Sequence, residues 1–108
     1  STTTKRIVVS ISNNDTLDFL RPDDVIEISC DLSKDGLKPV TPAHVPTAQK
    51  NMIASVKEYE RLAVAAILQR DKSLAIRALM AHPLVGSWSL AQKLANAYLD
   101  DKLFADWR

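Results

Sequence analysis

The segment Pro46 to Met80, PTAQKNMIASVKEYERLAVAAILQRDKSLAIRALM, constrains this chain more than any other, because apolar spacing, charge placement and breakers agree there on helix. On a helical wheel Met52, Ile53, Val56, Tyr59, Ala63, Val64, Ala66 and Ile67 share one arc, with Lys50, Asn51, Lys57, Glu58 and Arg61 opposite. Pro46 suits the first helical position, where an N–H would have no partner anyway, and the helix is predicted to run to Gln69 or Arg70. A rod of that length spans about 35 Å at roughly 1.5 Å per residue. Asp71 is placed to cap a second helix with Leu74, Ala75, Ala78 and Leu79 on its apolar face, and Pro83 obliges that helix to end near His82. Ser89 and Gln92 read as a capping box for a third helix carrying Leu90, Leu94, Ala97 and Tyr98. The exit KLFADWR leaves Leu103 to Trp107 as an apolar tail that is expected to be exposed.

Upstream of this segment the period changes. Ile7 to Ser12 is β-branched and partly alternating, and Asn13-Asn14-Asp15 ends it with residues that tolerate left-handed backbone. Thr16 to Asp24 has no clean period and reads as an irregular connection. Val25 to Cys30 is a second strand, Asp35-Gly36 a hairpin turn, and Leu37 to Val40 a short third strand. Pro39, Pro42 and Pro46 then make an extended connector. The expectation is an α+β fold in one domain, residues 1–108: a β-rich part over 1–40 and a helical part over 46–108, with three helices packed on the strands. So few strands leave at least one sheet edge without a partner.

Composition then narrows the function. A chain of 108 residues with a net charge of +1 offers no electrostatic case for nucleic acid or for an anionic membrane surface. It has no apolar run of membrane-spanning length and no signal-like start, and Cys30 is its only cysteine, so a soluble cytoplasmic protein is expected. Two glycines, Gly36 and Gly86, cannot make a dinucleotide or phosphate-binding loop. Cys30, His44 and His82 are scattered over strand, connector and helix end, unlike metal ligands. The pairs Asp23-Asp24 and Asp100-Asp101 are adjacent residues that point apart and read as solvated or structural. Trp88 and Trp107 are expected to cover core, and Lys57/Glu60 and Glu58/Arg61 to pair along the helix at i,i+3. Glu60 alone breaks the apolar arc, and is expected to be a structural anchor held by backbone N–H groups or an arginine. No catalytic, cofactor-binding or metal-binding residue is assigned.

The order of Ile7-Val8-Val9-Ser10-Ile11-Ser12-Asn13-Asn14, Pro22-Asp23-Asp24-Val25-Ile26-Glu27-Ile28-Ser29-Cys30, Asp35-Gly36-Leu37-Lys38-Pro39, Val56 to Leu62 and Ala78 to Val85 resembles the C-terminal end of family 4 glycoside hydrolases. Within the family the likeness is greatest to the 6-phospho-β-glucosidases. It implies an α+β domain similar to the C-terminal domain of lactate and malate dehydrogenases. It also implies a parent enzyme acting on phosphorylated disaccharides with NAD and a divalent metal, commonly Mn²⁺, by oxidation at C3, proton abstraction at C2 and elimination. The family's dinucleotide glycines, metal ligands and tyrosine base lie upstream of the positions this sequence contains, and Cys30 and His82 fall outside the metal site. The 108 residues are therefore expected to be inactive alone, with the rest of the parent enzyme as partner and a homo-oligomer as the assembled form. Asn13-Asn14-Asp15 stands where the family has Asn-Asn-Gly, and Val64-Ala65-Ala66-Ile67 where it has Val-Glu-Ala-Ala. These departures leave 6-phospho-α-glucosidase, α-galactosidase and α-glucuronidase branches open. A stand-alone helical interaction or dimerisation module is the alternative of a different class.

Overall fold

Alternation along the first two strands sets the faces of a sheet. In the computed structural model, which describes residues 3–108, β1 (Lys5–Ser12) pairs antiparallel with β2 (Val25–Ser33) in unbroken register from Lys5↔Leu32 to Ser12↔Val25. β3 (Gly36–Pro39) pairs antiparallel on the other side of β2, giving the order β1-β2-β3. Ile7, Val9 and Ile11 share a face with Cys30, Ile28 and Ile26, and those three β2 residues are buried, together with Leu20 from the loop. On the opposite face Arg6 Nε donates to Asp31 Oδ1 at 2.9 Å, a bond that holds the Asp31 carboxyl below its ordinary range. Both strands outrun their apolar cores, since polar Lys5 and Arg6 on β1 and Asp31 and Ser33 on β2 continue the ladder.

Two bonds just outside the strands fix the phase of the ladder. The Asn13 N–H donates to the Asp24 carbonyl at 2.7 Å, and the Val40 N–H to the Ser29 carbonyl at 2.9 Å. Hydrogen-bonded pairs recur at every second residue, so Lys5, Ile7, Val9 and Ile11 turn their main-chain groups toward β2, whereas Arg6, Val8, Ser10 and Ser12 turn theirs to the open edge. Pro39 sits opposite Cys30, where its missing N–H would point away from β2, so the proline costs the ladder nothing.

The loop between β1 and β2 is organised by one side chain. Asn13 is fully buried; its Nδ2 donates to the carbonyls of Leu17 (2.9 Å) and Arg21 (3.1 Å), and its Oδ1 accepts from the Leu17 N–H (2.7 Å). Asn14 and Asp15 take φ values of 45° and 68°, the left-handed turn that the sequence leads one to expect. Asn13→Ala would leave a buried N–H and two carbonyls unpaired, and should lower stability by about 2–4 kcal/mol in urea unfolding followed by far-UV circular dichroism.

The chain divides into two units, one ending at Pro46 and the other beginning at Thr47. In the second unit α1 (Thr47–Gln69) and α3 (Trp88–Leu99) each touch α2 (Lys72–Ala81). Its fully buried apolar side chains are all alanines: Ala66, Ala78, Ala91 and Ala95. The apolar arcs predicted for α1 and α3 are therefore too wide or rotated. Met52 (62% exposed), Val64 (55%), Ile67 (62%) and Tyr98 (70%) stand outside a narrow alanine seam. Four methyl groups supply only on the order of 3 kcal/mol, so half-buried Tyr59, Leu62, Leu74, Leu79 and Leu94 must supply most of the remaining burial.

Asp71 caps α2 as predicted, accepting from the Leu74 N–H at 3.1 Å, and α2 ends at Ala81 before Pro83. The cap of α3 is Ser87, whose Oγ accepts from the Leu90 N–H at 3.1 Å, rather than Ser89. Gln92 made Ser89 the better box by spacing, but it is Ser87 that has the extended backbone a cap requires, φ −148° and ψ 147°. Trp88, at the first position of α3, is 51% exposed and covers less than expected.

The tail is also a correction. Its residues form a 3₁₀ turn at Lys102–Phe104, and Phe104 and Trp107 are half-buried and meet edge to face at 5.7 Å, while Leu103 (81% exposed), Ala105 and Asp106 stand clear. Main-chain bonds explain this: the Lys72 N–H donates to the Arg108 carbonyl at 2.6 Å and the Arg108 N–H to the Arg70 carbonyl at 3.0 Å. Arg70 itself closes α1 at φ 51°, with the Asp71 N–H returning to the Ala66 carbonyl at 3.0 Å in a Schellman turn. Glycine is the residue that turn favours. Arg70→Gly should therefore be more stable than Arg70→Ala by about 1 kcal/mol in thermal unfolding, a comparison in which loss of the Arg70–Asp106 ion pair cancels.

Candidate functional site

The alanine seam leaves room around itself, and large side chains gather at that space. One recess of about 330 Å³ is lined by Tyr59, Ala66, Ala78, Tyr98, Phe104 and Trp107 among others. A more open one of about 510 Å³ lies between Tyr59, His82, Leu84, Leu90, Leu94 and Tyr98. His82 stands edge-on to Tyr59, with ring centroids 4.9 Å apart and planes at 87°, a contact worth roughly 0.5–1.5 kcal/mol. The Leu84 N–H donates to His82 Nδ1 at 3.2 Å, which leaves the ring proton on Nε2. Among the described residues, neither lining includes a carboxylate, a lysine or an arginine. Such a surface can bury an apolar partner and offer two phenols and an imidazole as hydrogen-bonding groups. On the strand unit a third recess, of about 580 Å³, brings Ser12, Asn14 and Thr16 beside Leu37 and Pro39.

The sequence candidates occupy separate places. Cys30 is fully buried, with its thiol 3.8 Å from the Ile28 carbonyl, His44 is exposed on the connector, and His82 packs on Tyr59. Among the described residues no three of His, Cys, Asp and Glu gather into a group that could hold a metal ion. Asp24 is buried and accepts from the Arg21 N–H at 2.9 Å, Asp23 is exposed, Asp100 ends α3, and Asp101 accepts from the Leu103 N–H at 2.9 Å. Gly36 and Gly86 have φ 114° and 70° and lie in a hairpin and in the loop between two helices, not in a strand-to-helix phosphate turn. Among the described residues, then, neither glycine lies in a dinucleotide-type turn and the sequence candidates do not converge on one place. Missed in the sequence were Tyr98 and Tyr59 as walls shared by two recesses; Tyr98 lies three residues after Ala95 and seven after Ala91, on their side of the helix, and its 70% exposure had no signal in the spacing.

The predicted pairs on α1 form, with Lys57 Nζ 2.8 Å from Glu60 Oε2 and Arg61 Nη1 3.1 Å from Glu58 Oε2. The buried anchor expected of Glu60 does not. Its side chain is 49% exposed and bonded to Lys57 one turn away, because the arc that was to bury it is wider than the seam. Glu60→Gln should accordingly move the urea midpoint by the equivalent of less than about 0.5 kcal/mol, the worth of an exposed i,i+3 pair.

Comparison with known proteins decides the lineage. The family 4 glycosyl hydrolase C-terminal domain matches residues 1–85. The chain belongs to that family. It is 35% identical over 77 residues to the 6-phospho-beta-glucosidase BglT of Thermotoga maritima, covering 71% of this chain and 19% of that protein. A solved 6-phospho-beta glucosidase from Thermotoga maritima, with manganese, NAD+ and glucose-6-phosphate, superposes with a TM-score of 0.76 at 31% identity over 93% of this chain and 25% of that one. A solved 6-phospho-alpha-glucosidase from gut microorganisms, with NAD and glucose-6-phosphate, gives 0.79 at 25% identity over 96% of this chain and 23% of that one. This family 4 domain thus spans about a fifth of the length of the curated relatives it matches. Three antiparallel strands followed by three helices confirm the expected α+β class. No described helix is long and apolar enough to cross a membrane.

Proposed function

We propose that this chain is the C-terminal domain of a cytoplasmic 6-phospho-β-glucosidase, one that cleaves 6-phospho-β-glucosides with NAD and a divalent metal held by parts of the protein outside these residues. The observation that supports the β assignment is sequence identity over the superposed structures: 31% to the Thermotoga β-glucosidase against 25% to the gut α-glucosidase. Backbone shape does not separate the two branches, since both superpose equally well. In this reading the domain contributes surface rather than chemistry. Its exposed Leu84 (87%) and Tyr98 (70%), on an otherwise thinly buried helical unit, are covered by the remainder of the enzyme.

Titration calorimetry of the 108-residue chain with NAD and with Mn²⁺, beside an assay on a chromogenic 6-phospho-β-glucoside, should give neither specific heat nor turnover. Micromolar binding or hydrolysis by the pure chain overturns the assignment of chemistry to other regions. The complete enzyme carrying this domain, supplied with NAD and Mn²⁺, should hydrolyse the 6-phospho-β-glucoside at least tenfold faster than its α anomer. The opposite preference would transfer it to the α branch.

A further inference from the structure

After α3 the chain returns to the turn between α1 and α2, and it does so as a small body with its own bonds. Asp101 Oδ1 accepts from the Leu103 N–H at 2.9 Å. The N–H groups of Phe104, Ala105 and Trp107 donate to the carbonyls of Asp101, Lys102 and Phe104 at 2.9, 3.3 and 3.0 Å. With Phe104 edge-on to Trp107, this segment keeps its shape by local contacts. Its ties to the helices are few. They are the main-chain bonds from the Lys72 N–H to the Arg108 carbonyl (2.6 Å) and from the Arg108 N–H to the Arg70 carbonyl (3.0 Å), the exposed Arg70–Asp106 ion pair, and the two half-buried rings. Those rings make one wall of the recess of about 330 Å³, whose other walls include Ala66 of α1, Ala78 of α2 and Ala95 of α3. The helices themselves meet through the alanine seam, α1 and α3 each on α2, and no seam residue belongs to the tail.

We infer that residues 101–108 are a clasp that opens as one body, uncovering the recess along the alanine seam while α1, α2 and α3 stay folded. Local opening draws on segments with few buried contacts and self-contained bonding, and the tail has both. The opened recess offers an apolar surface to a group of the kind that Phe104 and Trp107 present when it is closed. Two amides report on the clasp directly. Lys72 is the first residue of α2, where an N–H has no partner within the helix, so its protection comes from the Arg108 carbonyl. The Arg108 N–H is held by the Arg70 carbonyl in the same way.

Native-state hydrogen exchange of the 108-residue chain, followed by NMR, should give Lys72 and Arg108 protection factors within about threefold of each other and at least about tenfold below those of Ala78 and Ala95 in mid-helix. Trp107→Ala should speed exchange at Lys72 and Arg108 together, by about tenfold or more, and change Ala78 and Ala95 less than about twofold. The same variant should at least double the emission of added 1-anilinonaphthalene-8-sulfonate, an apolar dye that reads the uncovered recess. Lys72 exchanging as slowly as Ala78, Lys72 and Arg108 responding separately, Ala95 accelerating with them, or unchanged dye emission overturns the inference. The wild-type exchange comparison decides the matter even if Trp107→Ala does not fold. None of these results depends on the glycosidase reading, which the activity assays test separately.

Discussion

Between β1 and β2 the chain has main-chain groups and no ladder to join, and the Asn13 carboxamide is what meets them. A buried amide, N–H or carbonyl left without a partner costs about 1–3 kcal/mol, so this loop can be buried only if each such group is matched. Asn13 matches three with its side chain and extends the β1–β2 ladder with its own N–H. That last bond also sets which residues of β1 face β2 and which face outward, so the position of one side chain reaches into the behaviour of the whole edge. Asp24 complements it from the other end of the loop, where its carboxylate and its N–H both bond to Arg21.

The helical unit solves a different problem. Alanine at each tight crossing lets helices approach closely, but it contributes little burial, and the large apolar side chains are left on the outside of the seam. For a free-standing small domain that is a poor bargain with chain entropy. For a chain whose relatives are about four times longer it is coherent with the proposed function, in which the rest of the enzyme would cover those side chains.

What the sequence makes legible is local chemistry. Asp71 before an apolar run, Pro83 after one, and Asn14-Asp15 at the end of a β-branched stretch each have a backbone reason that needs no neighbour, and each is found in place. Elements whose faces depend on a partner are read less well. The wheel of α1 shows where apolar residues lie but not how wide the contact with α2 is, so Glu60 looks buried and is not. Ser87 and Ser89 both precede a helical run, and only the backbone angles separate them. The tail looks free because nothing in KLFADWR announces two main-chain bonds to the Arg70–Lys72 turn. Likewise, the recesses around Tyr59 and Tyr98 arise from three helices at once, which no single stretch of sequence encodes.

Aromatic placement has an optical consequence. Trp88, Trp107, Tyr59 and Tyr98 all lie beyond Pro46, and the strand unit holds only Phe19. Intrinsic emission excited at the tryptophan band therefore originates wholly in the helical unit, from one indole half-exposed at a helix start and one half-buried against Phe104. The strand unit is dark at that wavelength. Fluorescence and amide spectroscopy thus watch different halves of the same polypeptide, and any gap between their unfolding curves measures how far the two units melt as one.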